Sequence, residues 1–144
     1  MIRILHTADW HLGQTFFGYD RDEEHEAFLS WLIDILTLRQ TDVLLIAGDV
    51  FDVANPSAAA QRRFFLFLRE ANRRNPQLQI VIIAGNHDSA ARLEAPIPLL
   101  EELNTSIVGA VPRTDLCKID FDSLLIPLYN KVGKREAICL AVPY

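Results

Sequence analysis

Three short polar clusters, each directly after an apolar run, carry residue types that bind metals in proteins. They are Asp9-Trp10-His11, Gly48-Asp49-Val50-Phe51-Asp52 and Gly85-Asn86-His87-Asp88. Carboxylates, imidazoles and an amide oxygen suit a pair of divalent cations of borderline hardness such as manganese, whereas soft copper or an iron–sulfur cluster calls for thiolates. The two cysteines, Cys117 and Cys139, lie outside the clusters. The clusters therefore predict a two-metal site that activates a water and neutralises charge on a phosphoryl group.

The apolar runs that precede the clusters predict the elements that must bring them together. Ile2–Leu5, Asp42–Ala47 and Gln79–Ala84 are mainly apolar and do not alternate with polar residues as a half-exposed strand would, which is typical of strands covered on both faces of a parallel sheet. The carboxyl ends of such strands form the crevice in which ligands bind. Gly48 and Gly85 let the backbone turn sharply as it leaves the sheet. All three clusters are thus expected at one sheet edge.

Two helical stretches separate these strands and predict an α/β fold. The first runs from Asp22 to about Arg39, and the second follows Asn55-Pro56-Ser57, with Ser57 or Asn55 as its cap. The expected apolar stripes are Phe28, Leu32, Ile35 and Leu36, with Trp31 also in the core, and Ala60, Phe64, Phe67, Leu68 and Ala71. Alternating strands and helices predict right-handed crossovers and a layered sheet sandwich flanked by helices.

The rest of the chain predicts shorter elements. A short helix is expected at Ile97–Leu103 and a strand at Ser106–Val108. Further strands are expected at Leu116–Phe121, Ser123–Leu128 and Ala137–Val142, beginning a second sheet that the chain leaves unfinished. Unpaired edges of that sheet are expected to pair with another copy or to aggregate.

Composition and charge fit a protein of the cytoplasm with a sizeable core. Half of the 144 residues are hydrophobic, and no apolar run reaches the roughly 18 residues of a membrane-spanning helix. The two cysteines fit buried reduced thiols better than a disulfide. A net charge of -5 argues weakly against a dedicated nucleic-acid binder, although a bound cation reverses the local charge of an acidic site.

The three clusters resemble the opening motifs of the calcineurin-like metallophosphoesterases, D-x-H, G-D-x-x-D and G-N-H-[D/E]. A nearer resemblance is to the SbcD-type nuclease subunits, and it extends over essentially the whole chain, thinning after about Gly109. The stretches that carry it are His6 to Gly13, Arg21-Asp22-Glu23-Glu24-His25, Ala47 to Asp52, Asn55-Pro56-Ser57 and Ala84 to Ser89.

The resemblance implies a role for each candidate site residue. Its implied metal ligands are Asp9 and His11 for the first metal, Asp49 as the bridge, and Asn86 for the second metal. His87 is implied to stabilise the transition state or to protonate the leaving oxygen. Asp52 is implied to orient His87, as outer-shell carboxylates do when they fix an imidazole tautomer.

The resemblance also implies an activity and partners. It implies a DNA exonuclease and endonuclease subunit that uses two divalent metals, most simply manganese, and acts with an SbcC-like ATPase in repair and recombination. A homodimer without membrane association is expected. The family completes its site with three later histidines, one alone and two in a G-H-x-H motif, whereas the last histidine here is His87. Residues 1–144 are therefore expected to be the N-terminal part of the domain, with an incomplete site.

Other interpretations stay open on the sequence alone. The chain could be a general calcineurin-like phosphatase or cyclic-nucleotide phosphodiesterase, or a non-catalytic piece for dimerisation or partner binding. Asp88 could cap the following helix as readily as do chemistry. Two sets of side chains could contact nucleic acid or serve ordinary solvation and packing: Arg62, Arg63, Arg69, Arg73 and Arg74, and Trp10, Phe16, Phe17 and Tyr19.

Overall fold

A four-stranded parallel sheet forms the centre of the molecule in this computed structural model, which describes residues 1–114 and 118–144 and, within them, all side chains but that of Glu101. The elements in chain order are β1 (Ile4–Thr7), β2 (Thr15–Phe16), β3 (Tyr19–Asp20), α1 (Asp22–Leu38), β4 (Val43–Ala47), α2 (Ala58–Arg74), β5 (Gln79–Ile83), α3 (Ala90–Glu94), α4 (Ile97–Leu100), a 3-10 turn (Glu101–Leu103), β6 (Thr105–Val108), a 3-10 turn (Asp122–Leu124), β7 (Leu125–Tyr129) and β8 (Arg135–Leu140).

The order of the strands, β1-β4-β5-β6, confirms the predicted α/β class. Leu5 pairs with Leu44, which pairs with Ile80, so the carboxyl ends of β1, β4 and β5 finish side by side. Alternate residues of each strand point to opposite faces of a sheet. Even-numbered residues of β4 such as Leu44 join the core under the helices, whereas odd-numbered ones such as Val43 join a separate core on the other face. The sheet is therefore covered on both sides, as its unbroken hydrophobicity predicted.

Helix α2 follows the sequence prediction closely. The Ser57 hydroxyl accepts a hydrogen bond from the Ala60 N–H at 3.1 Å, so Ser57 is the cap. The buried residues of the helix are the predicted stripe, Ala60, Phe64, Phe67, Leu68 and Ala71. This stripe packs on α1 and fixes the outer helical layer.

Helix α1 corrects the predicted core in one respect. Trp31 was assigned to the core, but it is 56% exposed and lies against Phe28 at the surface. The buried apolar stripe is Leu29, Leu32, Ile33 and Leu36, with Phe28 and Ile35 only partly buried at its margins. The helix is apolar over so much of its circumference that its sequence leaves the orientation ambiguous by about one residue, and packing against α2 decides it.

The other face of the sheet is covered by the antiparallel pair β7–β8, the observed form of the predicted second sheet. Its strands occupy Leu125–Tyr129 and Arg135–Leu140 rather than Ser123–Leu128 and Ala137–Val142, because a 3-10 turn takes residues 122–124. Residues 115–117 lie outside the described residues. The predicted strand Leu116–Phe121 falls partly on them, and Cys117 falls wholly on them. Cys139 is a half-buried free thiol, and burial raises its pKa. In the described part of the chain, every helix is too short or too polar to span a bilayer.

Candidate metal centre

The three polar clusters meet at the carboxyl edge of the sheet, as predicted. The first two are joined along their backbones: the Asp9 N–H donates to the Gly48 carbonyl at 3.2 Å, and the His11 N–H donates to the Asp49 carbonyl at 2.9 Å. Leu12 N–H continues the ladder to the Val50 carbonyl at 3.0 Å. The loop after β1 therefore runs beside the loop after β4 and holds its side chains in register with Asp49.

Backbone strain is concentrated in these loops. Asp9, His11 and Asp49 all have left-handed backbones, with φ of 55°, 46° and 47°. Residues with side chains avoid this region, and each such residue costs on the order of 1–3 kcal/mol unless its surroundings hold it there. The backbone ladder between the two loops supplies that restraint and aims the side chains outward from the sheet edge.

Close approach of the second and third loops explains the two glycines. Gly48 has φ of +86°, and a Cβ there would lie 3.1 Å from the Gly85 Cα. A Cβ on Gly85 would overlap the backbone nitrogen and Oδ1 of Asp49 and lie 2.8 Å from its Cγ. Both positions therefore require glycine, and Gly85 is the position at which a side chain would collide with a predicted metal ligand.

Among the described residues, one trio of potential metal donors comes together: His11, Asp49 and His87, whose ligand atoms lie within 4.8 Å of one another. His11 Nε2 is 3.9 Å from Asp49 Oδ2, and the two imidazoles meet edge to face with ring centroids 4.9 Å apart. Asp49 is 8% exposed, whereas His87 is exposed, so the trio leads from the sheet edge out to solvent.

His87 is fixed by two contacts that orient its ring. Its backbone N–H donates to Asp49 Oδ1 at 2.9 Å, and its Nδ1 lies 2.7 Å from the backbone carbonyl of Asp52. A carbonyl oxygen only accepts, so Nδ1 carries the proton and Nε2 is the nitrogen left for chemistry. The hydrogen bond to Asp52 raises the pKa of His87, and the nearby carboxylates of Asp49, Asp52 and Asp88 raise it further.

Asp52 touches His87 through a different atom from the one expected. The sequence interpretation gave the orienting role to the Asp52 carboxylate, but the contact with His87 is made by the Asp52 carbonyl. The carboxylate lies instead beside His11, with Oδ1 3.4 Å from His11 Nδ1. Asp52 therefore touches both imidazoles, one through its backbone and one through its side chain.

Asp88 has a role that the sequence reasoning missed. Its Oδ2 accepts from Gly85 N–H at 2.9 Å and from Val50 N–H at 3.1 Å, and its Oδ1 accepts from Phe51 N–H at 3.0 Å. The alternative that Asp88 caps the next helix is wrong, because these bonds join the second loop to the third. The residue directly before α3 is Ser89, not Asp88.

Two predicted ligands, Asp9 and Asn86, lie on the same loops and are exposed. Asp9 is joined to Gly48 through its backbone, and Asn86 immediately precedes His87. In the described part of the chain, the close trio consists of histidine and carboxylate donors and does not include Asp9. The ligand roles of Asp9 and Asn86 stay predictions, as do those of the other site residues.

The structure favours different roles for the arginine and aromatic side chains whose roles the sequence left open. The ion pairs of the α2 arginines are Arg63 with Asp22 and Glu26, Arg73 with Glu70, and Arg74 with Asp34, which favours a solvated helix face over a phosphate-contacting one. Trp10 is buried, and its indole N–H donates to Thr7 Oγ1 at 3.0 Å, so its role is packing. Phe16, Phe17 and Tyr19 are 63%, 88% and 78% exposed.

The donor set fits a divalent cation of borderline hardness. A carboxylate and two imidazoles suit manganese, iron or zinc better than calcium, which prefers oxygen ligands alone. His11 Nδ1 is buried and, despite the nearby Asp52 carboxylate, makes no hydrogen bond. This nitrogen lies beside Asp52, whereas Nε2 is the His11 nitrogen on the Asp49 side, so the fit to a metal rests on the donor types of the trio.

Curated nuclease subunits are similar in sequence to this chain. The SbcD subunit of the nuclease SbcCD from Rhodobacter capsulatus is 50% identical over 143 residues, which are 99% of this chain and 35% of that protein. Its Escherichia coli counterpart is 39% identical over 133 residues, 83% of this chain and 33% of that protein. The Bacillus subtilis counterpart is 42% identical over 122 residues, 85% of this chain and 31% of that protein. The chain thus spans about a third of the length of these curated relatives.

The family is established by a match to a family profile. A sequence profile of calcineurin-like phosphoesterases matches residues 2–133, a span that includes all three polar clusters and the sheet that positions them. The chain belongs to the calcineurin-like phosphoesterase family.

Proposed function

We propose that this chain provides the front half of a two-metal site that hydrolyses phosphodiester bonds in DNA, in a nuclease subunit of the SbcD type. The observation that carries the proposal is the convergence of His11, Asp49 and His87 at one sheet edge. The relatives that bear the name of the SbcCD nuclease support DNA as the substrate.

The proposed ligands of this half-site are Asp9, His11, Asp49 and Asn86. Asp49 is the proposed bridge because it is the innermost member of the trio, with one oxygen toward His11 and the other bonded to the His87 N–H. Bound divalent metals, for which we propose manganese, would activate a water and neutralise charge on the phosphoryl group. A divalent ion usually takes about four to six ligands, so we propose that water or further protein donors complete the site.

His87 is the proposed acid or transition-state stabiliser. With Nδ1 donating to the Asp52 carbonyl, the protonated ring carries a second N–H at Nε2, which can donate to a phosphoryl oxygen or give its proton to the leaving oxygen. The backbone bond to Asp49 keeps His87 next to the proposed metal ligands, so its proton would reach a phosphate held at the same site. The proposed positioning role of Asp52 is exercised mainly through its carbonyl.

Partners follow from the same relatives and stay proposals. We propose an SbcC-like ATPase as the partner, a role in repair and recombination, and the cytoplasm as the location. For the expected homodimer, a groove of about 690 Å³ between α1 and α2 offers a contact surface. Its floor contains Leu29, Ile33 and Leu66, and its rims carry charges of both signs, including Glu26 and Arg62. A two-fold interface brings the same surface of both copies together, so charges of opposite sign on this surface could pair across it.

A chimera tests the proposed activity in a complete protein. The segment of the Rhodobacter capsulatus protein that matches this chain is replaced by residues 1–144, and cleavage of linear DNA is measured with manganese and with EDTA. We expect manganese-dependent cleavage that Asp49→Asn abolishes and that Asp34→Asn, on the outer surface of α1, leaves unchanged. Equal cleavage by the Asp49→Asn chimera would contradict the proposal. Cleavage of phosphomonoesters but not of DNA would favour a general phosphatase.

A further inference from the structure

A two-strand hairpin with exposed aromatic side chains projects from the loop that carries His11. Its strands are Thr15–Phe16 and Tyr19–Asp20, joined by Phe17 and Gly18. Thr15 pairs with Asp20 and Phe16 with Tyr19. Three of its six residues are aromatic and more than 60% exposed, whereas apolar side chains of this size normally add to a core.

The turn of this hairpin holds Phe17 in a conformation that its side chain disfavours. Phe17 has φ of 50° and Gly18 has φ of 82°, the positive pair that a type I′ turn requires. Asparagine, aspartate or glycine is the usual first residue of such a turn, and a bulky residue there is an outlier. Phe17 contacts the Phe16 ring edge to face, with centroids 4.6 Å apart, and is itself 88% exposed. Folding alone therefore gives little reason for an aromatic at this tip.

The base of the hairpin is rigidly connected to the metal centre. The Gln14 N–H donates to the His11 carbonyl at 3.0 Å, and Arg21 reaches across the hairpin base to Gln14 Oε1 at 2.8 Å. Arg21 also pairs with Glu24 at 2.6 Å, so its charge is already engaged. The hairpin thus presents aromatic faces rather than a free cation, four residues after a proposed metal ligand.

We propose that the hairpin is a base-stacking element that receives an unstacked base of the nucleic-acid strand whose phosphate enters the metal centre. This inference rests on the proposed function and adds to it a determinant of substrate class. Aromatic side chains stack on any base, whereas a small phosphomonoester offers nothing to stack on. The acidic chain, at -5, cannot rely on its overall field to attract a polyanion, and stacking supplies affinity that does not depend on that field.

The test is a fluorescence titration of the 144-residue chain with a short single-stranded oligodeoxynucleotide that carries 2-aminopurine, run with manganese and again with EDTA. Stacking quenches this base. The variant Phe17→Asn tolerates the positive φ, so its melting temperature is expected not to fall. We expect it to bind about tenfold more weakly, the lower part of the range for loss of one base–aromatic stack, and to lose the same factor at low and high salt.

Controls separate stacking from folding and from metal binding. Phe17→Trp retains a stacking surface and is expected to bind like the wild type. Leu38→Ala removes another exposed apolar side chain, on α1, and is expected to have no effect. Manganese binding by Phe17→Asn, measured by calorimetry, should match the wild type, so a failed metal site and a failed stacking site give different results.

Undiminished quenching by Phe17→Asn, or no quenching by the wild type in either buffer, would overturn the inference. The inference would also be overturned if the only effect of Phe17→Asn were a change in oligomeric state, measured by light scattering, since the hairpin would then be a protein contact.

Discussion

Replacing Asp88 by alanine removes the acceptor for three backbone N–H groups that belong to two different loops of the metal centre. A hydrogen bond contributes about 0.5–1.5 kcal/mol net, and the partial exposure of Asp88 favours the lower half of that range, so the three together amount to about 2 kcal/mol. For a domain of this size, about 4 °C of melting temperature corresponds to 1 kcal/mol, which gives a fall of about 8 °C. The melting temperature of Asp88→Asn should fall by about a third as much, because one amide oxygen can keep the two bonds of Oδ2 and only the bond to Phe51 is lost.

The same substitution should weaken metal binding without touching a metal ligand. The loops joined by Asp88 carry Asp49 and His87, and outer supports of this kind typically change affinity by roughly 10- to 100-fold. Thermal unfolding without metal and calorimetry with manganese measure the two effects. Asp34→Ala is the control, since it removes one exposed ion pair with Arg74 and should change stability by less than about 1 kcal/mol. If Asp88→Ala melts within the same margin as Asp34→Ala, the reasoning about the loops is refuted.

Three further predictions follow from other parts of the molecule. Gly85→Ala should abolish manganese binding in calorimetry, since the new Cβ collides with Asp49; binding at wild-type strength would mean that the loops are not held this closely. His25 is 6% exposed, and burial, with the charges of Arg21 and Arg63, lowers its pKa, so the folded state favours the neutral ring. The contribution of the neutral His25 ring to stability is then complete above the ordinary pKa of 6.5 and declines as the pH falls below that value. Urea unfolding measures the free energy of unfolding at about pH 7.5 and about pH 5.5, and the decrease between the two should be smaller for His25→Gln than for the wild type. Equal decreases in the two proteins would contradict this prediction. The outer face of β7–β8 exposes Ile138 and Leu140, so light scattering should show self-association that Ile138→Lys reduces, whereas a clean wild-type monomer at high concentration would argue against it.

Strands and helices with a single clear hydrophobic pattern could be predicted from the sequence. The strands β4 and β5 are unbroken apolar runs, and α2 has a narrow apolar stripe with a serine cap, so their positions, the α/β class and the meeting of the three clusters were predicted correctly. Helix α1 is apolar around more of its surface, and the sequence therefore placed Trp31 in the core although it is exposed. The distinction depends on the tertiary contact with α2, which no local pattern encodes.

The parts of the site that could not be predicted depend on contacts between loops far apart in the chain. The bonds from Asp88 to Val50 and Phe51 span 38 and 37 residues, and nothing near Asp88 in the sequence indicates them. The contact of His87 with the Asp52 carbonyl rather than its carboxylate is set by the backbone path of the second loop. Residue types thus predicted which loops meet, whereas the atoms that touch depend on the backbone paths of those loops, which sequence patterns do not reveal.

The most direct test of the metal centre is a calorimetric titration of manganese into the 144-residue chain, with Asp49→Asn and Asp34→Asn in parallel. We predict saturable binding by the wild type and by Asp34→Asn, and loss of binding by Asp49→Asn, because Asp49 is the buried member of the donor trio. Binding that is the same in all three proteins, or absent in all three, would contradict a metal centre in which Asp49 is a ligand.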